Sequence, residues 1–353
     1  MDFKRMFTKH KNVKFIYYLI NYLYLLIPDS LYSLKRNRIL KSIKKYDKSY
    51  IQERVNYYNK LNSFTLLHAD APQLKQIKLQ KKHKVYFLDT LKYTRLFHPQ
   101  LKISLIFGDI THVPFIPSIT KSRPISNSAN NSVLLKLNKV RHFTYTKDKK
   151  AFVTKKNMLI SRNVVKQENR KQFLKMYFNH PMCNIGQINS DGNPRYTSGY
   201  MTIEEQLDYK FILCLEGFDV ASNLKWVMSS NSIAVMPKPK YETWFMEGKL
   251  IPDYHYIEIK DDYSNLEEKL NYYIERTDKA LKIIKHANKY VEQFKNNERE
   301  DLISFLVLEK YFHFTGQISS KFEELFNMNN INTIEEFIEN IKTNSYVKRR
   351  VMD

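Results

Sequence analysis

Residues 209–239 read YKFILCLEGFDVASNLKWVMSSNSIAVMPKP, and this stretch decides the fold class of the chain. It contains an apolar strand candidate (FILCLEG), a helix candidate (SNLKWVMSS) and a second strand candidate (SIAVMP). A strand, a helix and a strand in this order are typical of a βαβ unit, in which the two strands are parallel. A core βαβ unit alone does not explain the polar residues ASNLK at the junction between the first strand and the helix.

The same alternation continues on both sides of this stretch. Upstream, the strand candidates MLIS (158–161) and CNIGQI flank the helix candidate VVKQENRKQFLKMYF, and Thr202 and Glu205 have capping-box spacing. Downstream, HYIEI is a further strand candidate, and residues 264–315 have a helical pattern. The sequence therefore predicts an α/β protein with a parallel, doubly wound sheet.

The first half of the chain is less regular. We predict helices over residues 30–66, strands at KVYFLDT (84–90), KISLIFGDI (102–110) and SVLLKLNKV, and a loop over residues 111–132. The predicted organisation is an N-terminal segment, two α/β lobes and C-terminal helices, over residues 1–50, 51–150, 151–300 and 301–353.

The amino-acid composition restricts the classes of partner and site that the chain can have. The chain has 353 residues and a formal net charge of +22, which calls for an anionic partner such as nucleic acid, a membrane surface or a phosphorylated substrate. It contains no P-loop or dinucleotide fingerprint, and no Cys/His spacing suggests zinc. Cys183 and Cys214 lie in apolar runs, as buried free thiols of a reducing compartment do.

The first 50 residues are basic, with twelve Lys and Arg against three Asp. Between two basic flanks lies FIYYLINYLYLLIP, which is too short to span a bilayer as a helix and lacks the cleavage site of a signal peptide. Such a segment suits the headgroup region of an anionic leaflet, and a buried, packed helix is the alternative.

Three places at the carboxyl ends of predicted strands could bind a ligand. Asp109 follows KISLIFG and could act as a general base, or form an Asx turn. Arg162 ends MLIS and could bind phosphate, or lie on the surface of a basic protein. After Gly217, a helix start with Lys225 in its first turns could bind a pyrophosphate, or be an ordinary capped junction.

No Asp-x-Asp occurs in the chain. A nucleotide-sugar enzyme that uses a divalent cation would normally offer such a pair of carboxylates. If a nucleotide diphosphate leaves in this protein, Arg, Lys and a helix N-terminus would have to meet its charge. We therefore expect no metal and no other cofactor.

Several ordered motifs resemble glycosyltransferase family 90, which includes bacterial lipopolysaccharide core glycosyltransferases, fungal capsule xylosyltransferases and animal protein O-glucosyltransferases. The resemblance covers roughly residues 85–315 and is strongest over 157–260, where YKFILCLEG, ASNLKW, SSNSIAV, YETWF and HYIEI follow the family's order. Upstream, it includes LISRN, ENRKQFL and IFGDITHVPFIPSITKSRPI. The bacterial branch also shares RVNYYNKL and NSVLLKLNKVRHF.

The resemblance implies a GT-B fold with two Rossmann-like lobes around a central cleft, and an inverting, metal-independent transfer from a UDP-sugar. By position, Asp109 matches the family's catalytic base, Arg162 the donor-site arginine and Lys225 the helix lysine near the diphosphate. The resemblance also places donor-binding positions at Gly217, Ala221, Ser222, Asn223 and Glu242.

Two positions depart from the animal members of the family. Asn163 stands where they have glycine, and Asn223 stands where they have an arginine. The second departure leaves open how the second charge of the diphosphate is compensated. Arg123 and Arg170 are the candidates to replace the missing cation.

The resulting prediction is a bacterial enzyme that adds a hexose from UDP-hexose to a lipopolysaccharide or lipooligosaccharide core. Its acceptor would be a lipid-linked core oligosaccharide, and its location would be cytoplasmic, at the surface of the inner membrane. Alternatives are a capsule or protein acceptor, a basic nucleic-acid-binding protein, and a non-catalytic, membrane-peripheral protein. We expect no nucleic acid partner, since no binding motif for one is present.

Overall fold

A computed structural model describes residues 13–79 and 81–326 of the chain. By their internal contacts the described residues divide into unit 1, with residues 13–18 and 139–295, and unit 2, with residues 19–79, 81–138 and 296–326. The predicted four-segment division stays a prediction.

The helices are α1 (Lys14–Leu25), α2 (Asp29–Lys41), α3 (Lys48–Tyr58), α4 (Lys84–Thr94), α5 (Lys139–His142), α6 (Glu168–Tyr177), α7 (Ile203–Gln206), α8 (Leu224–Met228), α9 (Leu266–Glu275), α10 (Thr277–Glu292) and α11 (Asn297–Phe314). The strands are β1 (Leu105–Ile106), β2 (Ser118–Thr120), β3 (Ser122–Pro124), β4 (Ser132–Leu134), β5 (Lys156–Asn163), β6 (Cys183–Gln187), β7 (Tyr209–Leu213), β8 (Ile233–Met236), β9 (Tyr241–Thr243) and β10 (Ile257–Glu258).

Unit 1 contains a five-stranded sheet of order β10-β8-β7-β5-β6, in which every pair of neighbours is parallel. All five strands were predicted. The α/β class with parallel strands is therefore confirmed, and so is the capping box of α7, in which Thr202 and Glu205 bond to each other's backbone N–H. On one face of the sheet, Leu159, Phe211 and Val235 pack against apolar residues of α6 and α9.

Unit 2 is built around α11, of which 14 of 18 residues are buried. Helices α2, α3 and α4 pack against it. Burial on nearly all sides is typical of a helix in a protein core. Beside these helices, β1, β2 and β4 form a short parallel sheet.

The prediction of a strand at residues 84–90 was wrong, because α4 occupies this segment. Its aromatic residues favour a strand by composition, but seven of the eleven residues of α4 are buried, and packing decided the outcome. The predicted strand over residues 102–110 is reduced to β1, and the predicted loop over 111–132 contains β2 and β3.

Candidate functional site

A cavity of about 250 Å³ lies in unit 1 at the carboxyl ends of β7 and β8. This is the edge at which open α/β sheets bind ligands. The chain that follows β7 forms one wall and the chain that follows β8 another. The lining side chains mix apolar and charged groups: Leu215, Glu216, Val220, Ala221, Leu224, Pro237, Lys238, Lys240, Glu247 and Tyr263, among others.

Of the donor-binding positions predicted after β7, the structure places Ala221 in the wall of this cavity. Gly217 follows Glu216, another residue of this wall, and a Cβ at position 217 would lie 3.4 Å from Arg170 Nη2. Ser222 and Asn223 precede α8, and Asn223 Nδ2 donates a hydrogen bond of 2.9 Å to the carbonyl of Leu213. Asn223 therefore holds the end of β7.

Lys225 lies inside unit 1 and is fully buried. Its Nζ is 2.5 Å from Glu247 Oε1, and it also lies over the ring of Phe245. Glu247 additionally accepts hydrogen bonds from the backbone N–H and the hydroxyl of Thr243. The charge of Lys225 is thus neutralised within the protein, and Glu247 is the member of the pair that lines the cavity.

Arg162 lies in β5, and its guanidinium donates hydrogen bonds to oxygen atoms of the protein. It donates to the carbonyls of Gly199, Ser161 and Asn184 and to the Asn184 side chain. Burial lowers its pKa. Arg162 is not among the side chains that line the 250 Å³ cavity.

Glu216 lines the cavity directly before Gly217. Its Oε1 accepts hydrogen bonds from the backbone N–H groups of Lys240 and Tyr241. Burial, opposed by these bonds and supported by the negative charge of Glu247, raises the pKa of Glu216 to about 7. A carboxyl group in this state can donate or accept a hydrogen bond near neutral pH.

Two further predicted residues, Glu242 and Arg123, are buried. Glu242 lies in β9 and does not line the cavity, whereas Glu247, five residues later, does. Arg123 lies in the core of unit 2, where it donates to the carbonyls of Tyr57, Tyr58 and Ser132. We therefore do not assign Arg123 to the donor site.

Asp109 lies in unit 2, three residues after β1. Gly108 before it has a φ of +124°, which favours glycine, and this turn presents the carboxylate at the end of the strand. Lys121 Nζ is 2.5 Å from Asp109 Oδ1, and the Asp109 side chain is 30% exposed. Within the described residues, Oδ2 of Asp109 makes no hydrogen bond.

A second cavity of about 610 Å³ lies in unit 2 beside β1. Phe107, two residues before Asp109, lines it together with His83, and these rings lie 6.1 Å apart. The remaining wall contains both polar and apolar groups, among them His68, Asp70, Gln76, Ile77, Ser104 and Ile116. Cavities of this size and mixed lining fit small polar ligands.

Sequence reasoning missed Glu216 and Glu247. The signal for Glu216 was its place directly before Gly217 at the end of a strand, as for Asp109. Nothing in the sequence paired Glu247 with Lys225, because 22 residues separate them.

The prediction of two buried free thiols was confirmed. Both cysteines, Cys183 and Cys214, are free and buried. Across residues 13–79 and 81–326, no cluster of three or more His, Cys, Asp or Glu side chains could hold a metal ion. In that same part of the chain, no helix has both the length and the apolar character needed to cross a membrane.

Comparison with known proteins identifies the family. Residues 131–349 match the family described as glycosyl transferase family 90. The chain is 40% identical over 263 residues to a protein named O-glucosyltransferase LpsA from Dichelobacter nodosus, covering 74% of this chain and 82% of that protein. It is 27% identical over 154 residues to uncharacterized protein 179R of Invertebrate iridescent virus 6, covering 41% of this chain and 13% of that protein. The chain therefore belongs to glycosyltransferase family 90 and is a glycosyltransferase.

Proposed function

We propose that this protein transfers a hexose from a UDP-hexose to a lipopolysaccharide or lipooligosaccharide core, with inversion at the anomeric carbon. The observation that supports this most is the cavity at the carboxyl ends of β7 and β8 in a chain of this family. Because the relative in Dichelobacter nodosus is named an O-glucosyltransferase, glucose is the first hexose to test. The GT-B arrangement implied by the resemblance is part of this proposal.

The proposed donor site is the 250 Å³ cavity of unit 1. Its two carboxyl groups, Glu216 and Glu247, are acceptors suited to the hydroxyl groups of a ribose or a hexose. Lys238 and Lys240 add positive charge at the same wall. The proposal thus assigns the UDP-sugar to unit 1 and the acceptor to the 610 Å³ cavity of unit 2.

Asp109 is the proposed general base. Lys121 holds its Oδ1, and Oδ2 is the atom proposed to take the proton of the acceptor hydroxyl. The acceptor oxygen then forms a bond to the anomeric carbon as the bond from that carbon to the diphosphate breaks. UDP leaves on the face opposite to the attack, so the configuration inverts. Cations of the protein would meet its charge, and no metal is required.

The proposed location is the cytoplasmic surface of the inner membrane, where a lipid-linked acceptor would be accessible. None of the twelve residues of α1 is buried, so the alternative of a packed core helix finds no support in the described residues. Phe15, Leu19 and Leu23 are exposed at helical spacing, and Leu26 follows them. Basic side chains of α2 could add attraction to anionic lipid headgroups: Lys35, Arg36, Arg38 and Lys41.

Transfer is tested with purified protein, UDP-glucose and core oligosaccharide, detecting the added hexose by mass spectrometry. Asp109→Asn should lower turnover by roughly 10²–10⁴-fold, because it removes the base, while leaving UDP binding nearly intact. The matched control is Asp47→Asn in the same unit, which keeps the N-cap of α3 and should keep full activity. Near-normal turnover of Asp109→Asn would refute the assignment of the base.

The same assay decides the acceptor and the donor. Capsule saccharides and proteins replace the core oligosaccharide in parallel reactions, and other UDP-sugars replace UDP-glucose. Transfer to one of these acceptors but not to the core would overturn the proposed acceptor. Addition of EDTA should leave turnover unchanged, and loss of activity that Mg²⁺ or Mn²⁺ restores would overturn the metal-independent mechanism.

Membrane binding is tested separately by co-sedimentation with vesicles that contain anionic phospholipid. Leu19→Glu combined with Leu23→Glu should release the protein into the supernatant, since both changes place charge on the exposed apolar face of α1. Leu281→Glu changes an exposed leucine of α10 and should not release it. Equal sedimentation of all variants would contradict a role for α1.

A further inference from the structure

A further cavity, of about 590 Å³, lies in unit 1 at the carboxyl ends of β5 and β6. Val165 and Lys166, which line it, follow β5, and Gln187, which also lines it, is the last residue of β6. The strands of this sheet are parallel, so the cavity lies at the same edge as the 250 Å³ cavity, with which it shares no lining residue. The proposed transfer gives this cavity no ligand.

Helix α6 contributes to both cavities. Asn169 and Gln172 line the 250 Å³ cavity, whereas Lys171 and Lys175 line the 590 Å³ cavity. Arg170, on the same helix, donates hydrogen bonds to the carbonyls of Val164, Leu215 and Glu216. These bonds connect α6 to the chain after β5 and to the chain after β7, and so hold the helix at the edge of the sheet.

The wall of the 590 Å³ cavity carries three lysines and one carboxylate. Lys166 pairs with Asp191 at 2.8 Å, and Lys171 pairs at 2.6 Å with Glu168, which is not part of the wall. These four side chains are more than half exposed, and ion pairs so exposed contribute little, so both lysines can turn to a ligand. Lys175 forms neither an ion pair nor a hydrogen bond within the described residues. The wall therefore offers positive charge to an anion.

Gln187 adds a buried hydrogen-bond acceptor to this wall. Its side chain is 2% exposed, and its Nε2 donates to the carbonyl of Asn193 at 2.7 Å and to Thr197 Oγ1 at 3.2 Å. A Cβ at Gly192 would lie 2.5 Å from Oε1, so the glycine allows the chain to approach this amide closely. Over residues 13–79 and 81–326, Oε1 accepts no hydrogen bond. Because buried polar atoms normally have a partner, Oε1 is suited to accept a hydrogen bond from a ligand.

The remaining wall combines apolar and polar groups: Val165, Leu174, Asn189, Asn193 and Tyr196. A sugar needs both kinds, since its hydroxyl groups form hydrogen bonds with amides while its C–H faces pack against apolar and aromatic side chains. We infer that this cavity binds an anionic saccharide, that is, a sugar with a carboxylate or a phosphate group. Lys175 binds the anionic group, and Gln187 Oε1 accepts a hydrogen bond from a hydroxyl. The inference goes beyond the proposed transfer and does not depend on its donor or acceptor.

NMR titration of the full-length protein, with UDP present to fill the 250 Å³ cavity, tests the class of ligand. The probes are glucuronic acid, glucose 6-phosphate, glucose and inorganic phosphate. At least one of the two anionic sugars should bind about 10-fold more tightly than glucose, as expected for one charge-assisted hydrogen bond, and more tightly than inorganic phosphate. Which of the two binds more tightly shows whether the anionic group is a carboxylate or a phosphate.

Lys175 is the residue to change, because it is exposed and its loss breaks no contact within the described residues. Lys175→Ala should weaken binding of the anionic sugar about 5- to 10-fold and leave the affinities for glucose and UDP unchanged. Lys175→Arg keeps the charge and should retain most of the affinity. The matched control is Lys282→Ala, which removes an exposed lysine of α10 in the same unit and should bind every probe as the unchanged protein does.

Three results would overturn the inference. Equal affinity of Lys175→Ala and the unchanged protein for the anionic sugar would place the binding elsewhere. Equal affinity for glucose and for both anionic sugars would mean that the site does not recognise charge. Binding of inorganic phosphate as tightly as the sugars would mean that it takes simple anions. Failure of the unchanged protein to bind UDP would overturn the proposed donor only, because the comparison of Lys175→Ala with Lys282→Ala still decides the inference.

Discussion

The two units each hold a lysine–carboxylate pair with the same 2.5 Å separation, and the pairs differ in exposure. In unit 1, the side chains of Lys225 and Glu247 are 0% and 2% exposed. In unit 2, those of Lys121 and Asp109 are 2% and 30% exposed. The carboxylate of the second pair is exposed to solvent, whereas Glu247 of the first pair is buried and faces only the 250 Å³ cavity. The comparison indicates that the first pair supports a cavity wall, whereas the second offers a reactive oxygen.

Glu247→Gln should have the largest effect on stability. It removes the negative charge that compensates Lys225 and leaves a buried cation unpaired, which costs about 3–5 kcal/mol of the free energy of unfolding. Denaturant unfolding measures this difference. Asp109→Asn should cost less, since water can reach the partly exposed side chain at position 109 and replace part of the interaction that Lys121 loses.

The double variant Lys225→Met, Glu247→Leu is the control for Glu247→Gln. It removes both charges and should be more stable than the single variant, because no ion is then left unpaired in the core. If Glu247→Gln lowers the free energy of unfolding by no more than Asp109→Asn does, then solvent exposure does not determine how much each pair contributes to stability.

The difference between the pairs could not be predicted from sequence, although the positions of two of their four members could. Asp109 and Lys225 were identified by their places after strands, and the capping box of α7 was identified by spacing. These signals are local. The partners of Lys225 and Arg162 depend on side chains and carbonyls that folding brings together from distant parts of the chain, as for Glu247 and Gly199.

The fold, too, could be predicted only in part. In unit 1, apolar strands bounded by polar helices repeat regularly, and the sequence therefore predicted all five strands of the sheet. In unit 2, the strands have two or three residues, too few for a periodic signal. Buried side chains hold its loops instead: Arg123 binds three carbonyls, and Tyr311 binds the carbonyl of Pro117. No sequence pattern predicts such hydrogen bonds.

Glu216 differs from both pairs, because this carboxyl group of the cavity wall forms no ion pair with a lysine in the described part of the chain. Burial raises its pKa from 4.5 to about 7 in the native state. Between these two values the unfolded chain loses a proton that the native protein keeps, so this group lowers the free energy of unfolding as pH rises from 4.5 to 7. Relative to the unchanged protein, Glu216→Gln should gain about 2 kcal/mol of stability between pH 5 and pH 8.

Unfolding by denaturant at several pH values measures this gain. Glu268→Gln, at an exposed position of α9, is the control and should show no such change with pH. A constant difference between Glu216→Gln and the unchanged protein from pH 5 to pH 8 would mean that Glu216 is ionised throughout, as a solvated carboxylate is.

Lys240 and Asp261 extend the comparison to an exposed pair and should show the smallest effect. Their charged atoms are 3.4 Å apart, and their side chains are 63% and 69% exposed. Lys240→Ala should change the free energy of unfolding by at most about 0.5 kcal/mol, because solvent screens the pair in both states. The backbone N–H of Lys240 still donates to Glu216 in this variant, so the measurement isolates the side chain. A double-mutant cycle with Asp261→Asn gives the coupling energy directly. A coupling energy above about 1 kcal/mol would contradict the proposed relation between burial and stability, since an exposed pair would then contribute as much as a partly buried one.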